Sequence, residues 1–316
     1  NILPININLY PFTFIPNYID EPLVLVRKLD DSLSCLSNVC THRANIIVHN
    51  PSEQKNLRCL YHGRKFNLDG EFKSMPDFEE AKNFPRDCEN LKSFPVSRLG
   101  PFLFTSLEPE FNIKKIFDEI ANRLSFFKFE KLVERPDLTS EHIVKANWAI
   151  YCENYLDPFH IPFVHKELTS VLDINQYKTE IYDNYNLQIG YSKDDEDSFE
   201  ITEGNKDFGK KISAYYYWIF PNLMLNFYPW GLSINVITPI NKNRTKVSFI
   251  QFMMDESKYD LGAGGLIDKV EREDEFVVEE VSKGLESRYY STGRFSPTKE
   301  TAIHHFHSLI AKFINS

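Results

Sequence analysis

Four residues stand out for the chemistry they could do. Cys40 and His42 lie in the run CTHR, and Cys59 and His62 lie in the run CLYH, with sixteen residues between His42 and Cys59. Each run offers one thiolate and one imidazole from an expected hairpin loop. Two such loops can hold a small metal centre between them. The donor set fits a Cys₂His₂ zinc site, and it also fits a [2Fe–2S] cluster with two Cys on one iron and two His on the other. Spacing favours the cluster. Zinc fingers tend to pair Cys with Cys and His with His, whereas each loop here mixes the types in β context. Such a cluster moves single electrons, and His42 and His62 on its exposed edge are the natural exit.

A second constellation lies in NWAIYCENYLDPFHIPFVH, residues 147–165. This stretch is expected to be helical, so Asp157 and His160, at i and i+3, share a face. His165 lies five residues on, about 140° around a regular helix. Pro162 falls between them, and a kink there would bring both imidazoles to one point. A carboxylate is expected to join them from a helix near 266–290. There Ile267, Val270, Val277, Val278, Val281 and Leu285 form an apolar stripe, and Asp274 interrupts it. A charge facing a core is costly unless it is paired or bound to metal. A buried ion pair is the plain reading; two His and one carboxylate are also the facial triad of non-haem Fe(II) oxygenases.

These residues need two kinds of scaffold. Residues 22–37 and 57–72 each read as two short strands around a turn, at Asp30–Asp31 and Asp69–Gly70. Short strands and tight turns continue to about residue 108. Beyond it, Ile116, Ile120, Leu124 and Phe127 recur at helical spacing. Strands are expected at 214–220, 222–228, 232–240 and 245–254, then helices near 266–290 and after Pro297. The reading is α+β: a small all-β domain over 1–108, and over 109–316 an antiparallel sheet covered by helices in a helix-grip arrangement. Trp218, Phe220, Leu223, Leu225, Phe227 and Trp230 are candidates for a pocket roof. The acidic run 193–200 reads as a solvated loop.

Composition narrows the classes. A net charge of -9 argues against nucleic acid or an anionic membrane as partner. No run approaches the ~18 apolar residues that a membrane helix needs. Five Cys in 316 residues make no disulfide scaffold. No basic stretch precedes an apolar one at the start, so a cytoplasmic setting is expected; the chain opens on Asn1, and its true start is taken as trimmed or unseen. Cys35, Cys88 and Cys152 are expected to be buried free thiols, and His304, His305 and His307 surface or packing residues.

The two loops resemble the Rieske motif, C-x-H-R followed by C-x-x-H-G, as Cys40-Thr41-His42-Arg43 and Cys59-Leu60-Tyr61-His62-Gly63. Arg64 stands where many relatives carry Trp, a change that touches packing and not ligation. Asp157, His160 and His165 match the family's acidic residue, His three further on and His five beyond that. From about Pro22 to its end the chain is similar to the catalytic α subunit of a Rieske non-haem iron ring-hydroxylating oxygenase. Ser282-Lys283-Gly284-Leu285 stands where the family has a Gln-x-Gly-Leu-like segment, with Ser for the usual Gln, and Asp274 lies at the expected place before it. Glu273 and Glu279 are the fallback ligands.

The resemblance implies a [2Fe–2S] cluster on Cys40, His42, Cys59 and His62, and Fe(II) on His160, His165 and Asp274. It implies that Asp157 bridges a Rieske histidine of one subunit to His160 of its neighbour in a homotrimer. Asn154 could reach the iron or a bound water. Electrons would come from NAD(P)H through a separate reductase or ferredoxin, since no Gly-rich nucleotide fingerprint occurs in the chain. O₂ would then hydroxylate or demethylate a small aromatic or quaternary ammonium substrate. The single chain looks more like the choline- or carnitine-monooxygenase branch. The alternatives are a Rieske-type electron carrier with a non-catalytic binding domain and a zinc-stabilised binding module.

Overall fold

The computed structural model describes residues 7–193 and 196–315, so Asp194 and Asp195 of the acidic run lie outside the described residues. The chain divides into two compact units, 1–121 and 122–316. Strands β1 (Leu9–Phe14), β2 (Glu21–Arg27), β3 (Leu33–Ser37), β4 (Leu57–Arg58), β5 (Lys65–Phe66), β6 (Phe72–Ser74), β7 (Ser93–Phe94), β8 (Val96–Leu99) and β9 (Phe102–Thr105) build the first unit. They form a four-stranded sheet β1-β2-β3-β7, a three-stranded sheet β4-β5-β6 and the pair β8-β9. Both expected hairpins form, and the turns need left-handed backbone at Asp31 and at Gly70 (φ 62° and 90°). Leu9, Val24, Val26, Leu36, Leu57 and Phe66 pack into one core, and the buried Cys40 and Cys59 belong to it.

Helix α1 (Ile113–Arg123) follows, with Ile116 and Ile120 buried at the expected spacing. The second unit then adds β10 (Val133–Glu134), β11 (Ser140–Val144), α2 (Trp148–Tyr155), α3 (Ile161–Val164), α4 (Lys166–Val171), β12 (Lys178–Ile181), β13 (Tyr185–Tyr191), β14 (Ile212–Ile219), β15 (Leu223–Tyr228), β16 (Gly231–Asn241), β17 (Arg244–Met253), α5 (Ile267–Leu285) and α6 (Thr301–Ile314). Its eight-stranded sheet is antiparallel, in the order β10-β17-β16-β15-β14-β13-β12, with β11 also paired to β17. Strands and helices are thus arranged as an α+β fold. Among the described residues, no helix is long and apolar enough to cross a membrane.

Alternation along the strands sends successive side chains to opposite faces. On one face Trp218 and Met224 pack with Phe306 and Leu309 of α6 and Val278 of α5. Each fully buried side chain of this size stabilises by roughly 1.5–3 kcal/mol. The other face carries Tyr215 and Phe227, packed against Phe126 and Phe127.

Three local expectations fail. Helix α6 starts at Thr301, and Pro297 lies in the turn before it, because Glu300 and not the proline marks the helix entry. Val281 and Leu285 are exposed, and the buried face of α5 carries Glu271 in their place. Cys88 is exposed, since its short 3₁₀ segment Asp87–Glu89 buries no residue, while Cys35 and Cys152 are buried. His305 and His307 serve packing, through Asn186 Oδ1 at 3.0 Å and Glu153 Oε1 at 2.7 Å.

Candidate metal centres

In the first unit two loops fold alike. The Cys40 carbonyl accepts from Ala44 N at 3.0 Å, and Cys40 N donates to the Asn45 carbonyl at 2.9 Å. The Cys59 carbonyl accepts from Gly63 N at 3.1 Å, and Cys59 N donates to the Arg64 carbonyl at 2.8 Å. The residue four after each Cys is left-handed, Ala44 at φ 54° and Gly63 at φ 75°. This repeated turn buries both sulfurs and leaves His42 half-buried and His62 exposed, their rings 4.8 Å apart. Burial pushes the Cys59 thiol up, but the amides of Tyr61 and His62, Cys40 and the Asn45 side chain outweigh that and lower it, which favours thiolate. Arg64 is fully buried beneath the second loop, ion-paired to Glu89 and 4.9 Å over the Phe72 ring.

In the second unit the expected continuous helix breaks before His160. α2 ends at Tyr155, and Asp157 and His160 lie in a non-helical segment. The break comes from Pro158, which lacks an N–H and excludes α backbone at Asp157. Pro162, expected to be the kink, sits in the first turn of α3, where its missing donor costs nothing. His160 and His165 therefore stand at the two ends of the four-residue α3, as its N-cap and C-cap.

From there the two rings meet. His160 Nε2 and His165 Nε2 are 3.0 Å apart; Asp274 Oδ1 lies 3.0 Å from the second and 3.3 Å from the first. Cis donors of an octahedral ion with bonds of ~2.1 Å lie about 3.0 Å apart, so the triangle fits a divalent metal. The far side of each ring agrees. His165 Nδ1 lies 2.7 Å from Glu273 Oε2, and His160 Nδ1 lies 3.4 Å from Asp157 Oδ2. Carboxylates there place the ring protons on Nδ1 and free both Nε2 lone pairs for one point. Burial lowers the His160 imidazole, but its partners Asp157 and Asp274 outweigh this and raise it to about 9. Burial likewise raises the Asp274 carboxyl, and the neighbouring His160 and His165 imidazoles pull it down to about 2.

Asn154 Nδ2 donates to Asp274 Oδ1 at 2.6 Å and so steadies the carboxylate. Of the fallback residues, Glu273 holds His165 from behind, and Glu279 accepts from Lys145 N at 3.0 Å. The start of α5, which delivers Asp274, is set by Gly264 packed on Trp230, where a Cβ would stand 2.1 Å from the indole nitrogen.

The triangle opens on a cavity of about 100 Å³. Tyr151, Tyr155, Tyr177, Tyr216 and Tyr228 line it, and Glu271 enters from α5. Its floor is a row across the sheet: strand register sets Gln188 beside Tyr216, Tyr216 beside Asn226 and Asn226 beside Ser233. None of the large residues expected as its roof lines it. Trp218 and Phe220 sit further along the sheet against Phe306 and Phe313, Leu223, Leu225 and Phe227 alternate with the lining residues of β15, and Trp230 stacks behind Tyr228. Hydrophobicity chose the wrong phase. The readable signal was polar residues at alternate positions of apolar strands, Gln188 in NLQIG and Asn226 in LMLNFY. Tyr155 OH donates to Asn226 Oδ1 at 2.6 Å, and Gln188 Nε2 donates to the Tyr155 carbonyl at 2.8 Å, which is what makes their burial tolerable.

Comparison with known proteins finds relatives for both parts of the chain. The catalytic domain of the ring hydroxylating alpha subunit matches residues 129–316, and the Rieske [2Fe-2S] domain matches residues 14–94. The chloroplastic choline monooxygenase of Arabidopsis thaliana is 30% identical over 92% of this chain and 71% of its own length. The carnitine monooxygenase oxygenase subunit of Escherichia coli (strain K12) is 30% identical over 93% of this chain and 81% of its own. Against the Beta vulgaris choline monooxygenase, the chain spans 64% of that protein's length. A solved quaternary ammonium Rieske monooxygenase shares the fold, with a TM-score of 0.72 at 20% identity over 99% of this chain and 86% of that one. Both domains occur in order and the relatives extend over nine-tenths of the chain, so the protein belongs to the ring-hydroxylating α subunits of the Rieske non-haem iron oxygenases, oxidoreductases that carry a [2Fe–2S] cluster and a mononuclear iron.

Proposed function

We propose that this chain is the oxygenase component of a multicomponent system that hydroxylates or demethylates a small quaternary ammonium compound. The observation that carries this reading is the His160, His165 and Asp274 triangle opening directly on a tyrosine-lined cavity. Cys40, His42, Cys59 and His62 would hold the cluster. When bound, the two metal groups supply electron delivery and O₂ activation. The remaining work falls to the chain itself. Glu273 and Asp157 orient the two imidazoles from behind, and Asn154 Nδ2 donates to Asp274 Oδ1 and fixes that oxygen. The tyrosines exclude water and present π faces and phenols to the substrate, an environment suited to an alkylated ammonium head. Relatives named for choline and carnitine oxidation support that class over an aromatic ring.

Within the same reading, a separate reductase or ferredoxin donates the electrons, and Asp157 links the two centres between subunits of a homotrimer. The functional boundary between cluster and catalytic domains is placed at about residue 108. The test is substrate-dependent O₂ uptake by the holoenzyme with a reductase, comparing choline, carnitine and an aromatic hydrocarbon. His160→Ala should abolish uptake while the cluster colour stays. Uptake that survives His160→Ala, or occurs with none of the three, would refute the assignment.

A further inference from the structure

We propose that Asn226 selects the chain of the substrate: its side-chain amide donates to an acceptor oxygen, a hydroxyl or carbonyl, carried beside the ammonium head. This rests on the ammonium reading above. Asn226 is 4% exposed and lines the cavity that also holds the His160, His165 and Asp274 triangle. It is the middle member of a row that crosses five strands. Register pairs Gln188 with Tyr216, Tyr216 with Asn226, Asn226 with Ser233 and Ser233 with Gln251.

The bonds along this row decide what it can offer a ligand. Gln188 is committed at both ends: Nε2 donates to the Tyr155 carbonyl at 2.8 Å, and Oε1 accepts from Tyr177 OH at 3.4 Å. Ser233 is committed as well, accepting from Gln251 Nε2 at 3.1 Å and donating to Asn235 Oδ1 at 3.0 Å. Asn226 is engaged at one end. Its Oδ1 accepts from Tyr155 OH at 2.6 Å, while the Tyr217 carbonyl stands farther from that hydroxyl, at 3.3 Å. A contact of 2.6 Å has the length of an O–H···O bond and is short for N–H···O, so the oxygen of Asn226 faces Tyr155 and the nitrogen faces away. Among the described residues, Asn226 Nδ2 has no hydrogen-bond partner. Unlike Gln251 Oε1, it is not sealed from the cavity.

An amide donor inside a closed chamber discriminates by chemistry. A substrate oxygen with free lone pairs leaves it bonded, whereas an alkyl group in that place strips its water and leaves it unpaired. The preference is therefore for an ammonium compound with an oxygen on its chain over one with hydrocarbon there. Choline and n-propyltrimethylammonium carry the same charge and nearly the same shape, so the ionic groups of the cavity act on both alike.

The experiment is equilibrium binding of these two compounds to the anaerobic holoenzyme by calorimetry. The native protein should bind choline at least about tenfold more tightly than n-propyltrimethylammonium. Asn226→Leu should abolish that preference, since a hydroxyl then loses its donor and a methyl group loses nothing. Asn226→Asp leaves an oxygen for Tyr155 and removes the amide donor. It should lower the preference too, with its added charge acting on both cations equally. Equal binding of the two compounds to the native protein overturns the proposal and leaves the ammonium reading standing. So does a preference that survives in folded Asn226→Leu. If neither ammonium compound binds while naphthalene does, the ammonium reading falls and this inference falls with it.

Discussion

Glu273 meets His165 at 2.7 Å through Nδ1, on the edge of the ring opposite the nitrogen that faces His160 and Asp274. Consecutive residues of α5 thus grip one imidazole from both sides. The first sets the ring proton, and the second faces the other nitrogen, where it would share a metal with the ring. Glu273→Gln keeps the shape and removes the charge, so iron affinity should fall by about 10–100-fold. Chelator titration of the holoenzyme measures this, and an unchanged iron affinity would show Glu273 to be a surface ion pair only.

Asp274 is the one anionic member of the donor triangle. Asp274→Asn should release the mononuclear iron and spare the cluster, changing iron to sulfide from roughly three to two into roughly two to two. Metal and sulfide analysis beside the visible spectrum checks the outcome. Retention of all the iron would move the ligand role elsewhere on α5.

Arg123 anchors a buried ionic cluster on the far side of the sheet, ion-paired to Asp207 and, at 3.0 Å, to Glu180, with side-chain exposures of 6%, 0% and 13%. Burial raises both carboxyls, but their hydrogen-bonded partners outweigh it, holding Asp207 below its ordinary value and Glu180 at about 2. Folded values below unfolded ones mean stability that is present above the ordinary carboxylate range and lost as pH falls through the folded values. Resistance to denaturant should therefore weaken from about pH 5 toward pH 2, and Glu180→Gln should flatten that slope. Arg123→Met should cost about 1–3 kcal/mol at neutral pH, because it removes the buried cation while Lys210 still holds Asp207 and Lys178 still holds Glu180.

Gly264 tests how α5 is placed. A methyl group there would overlap the Trp230 ring. Gly264→Ala should destabilise the protein by about 1–3 kcal/mol and weaken substrate binding more than it alters the cluster spectrum. A melting curve and a binding isotherm on one sample separate the effects; unchanged stability would mean that the loop moves freely away from Trp230.

Much of the molecule was legible from local chemistry. The Cys-x-His and Cys-x-x-His loops announce a cluster because ligand type and spacing act within a few residues, and the turn that presents them needs only one left-handed residue, Ala44 or Gly63. His160 and His165 are five residues apart, and the short helix between them is again local. Asp274 was readable as a charge out of place in an apolar stripe. Other features required the packed chain. Pro158 rather than Pro162 breaks the helix, because the tertiary position of α3 gives Pro162 a harmless place in a first turn. The pocket face of the sheet could not be taken from hydrophobicity, since both faces of a fully covered sheet are apolar; cross-strand register alone aligns Gln188, Tyr216, Asn226 and Ser233. Glu271 was invisible as a site residue for the same reason, and Glu273 was read only as a fallback ligand, not as the partner of His165 Nδ1. A charged residue on an amphipathic helix looks solvated until packing decides which turn of the helix faces the cavity, and that decision is made by residues more than a hundred positions away in the chain.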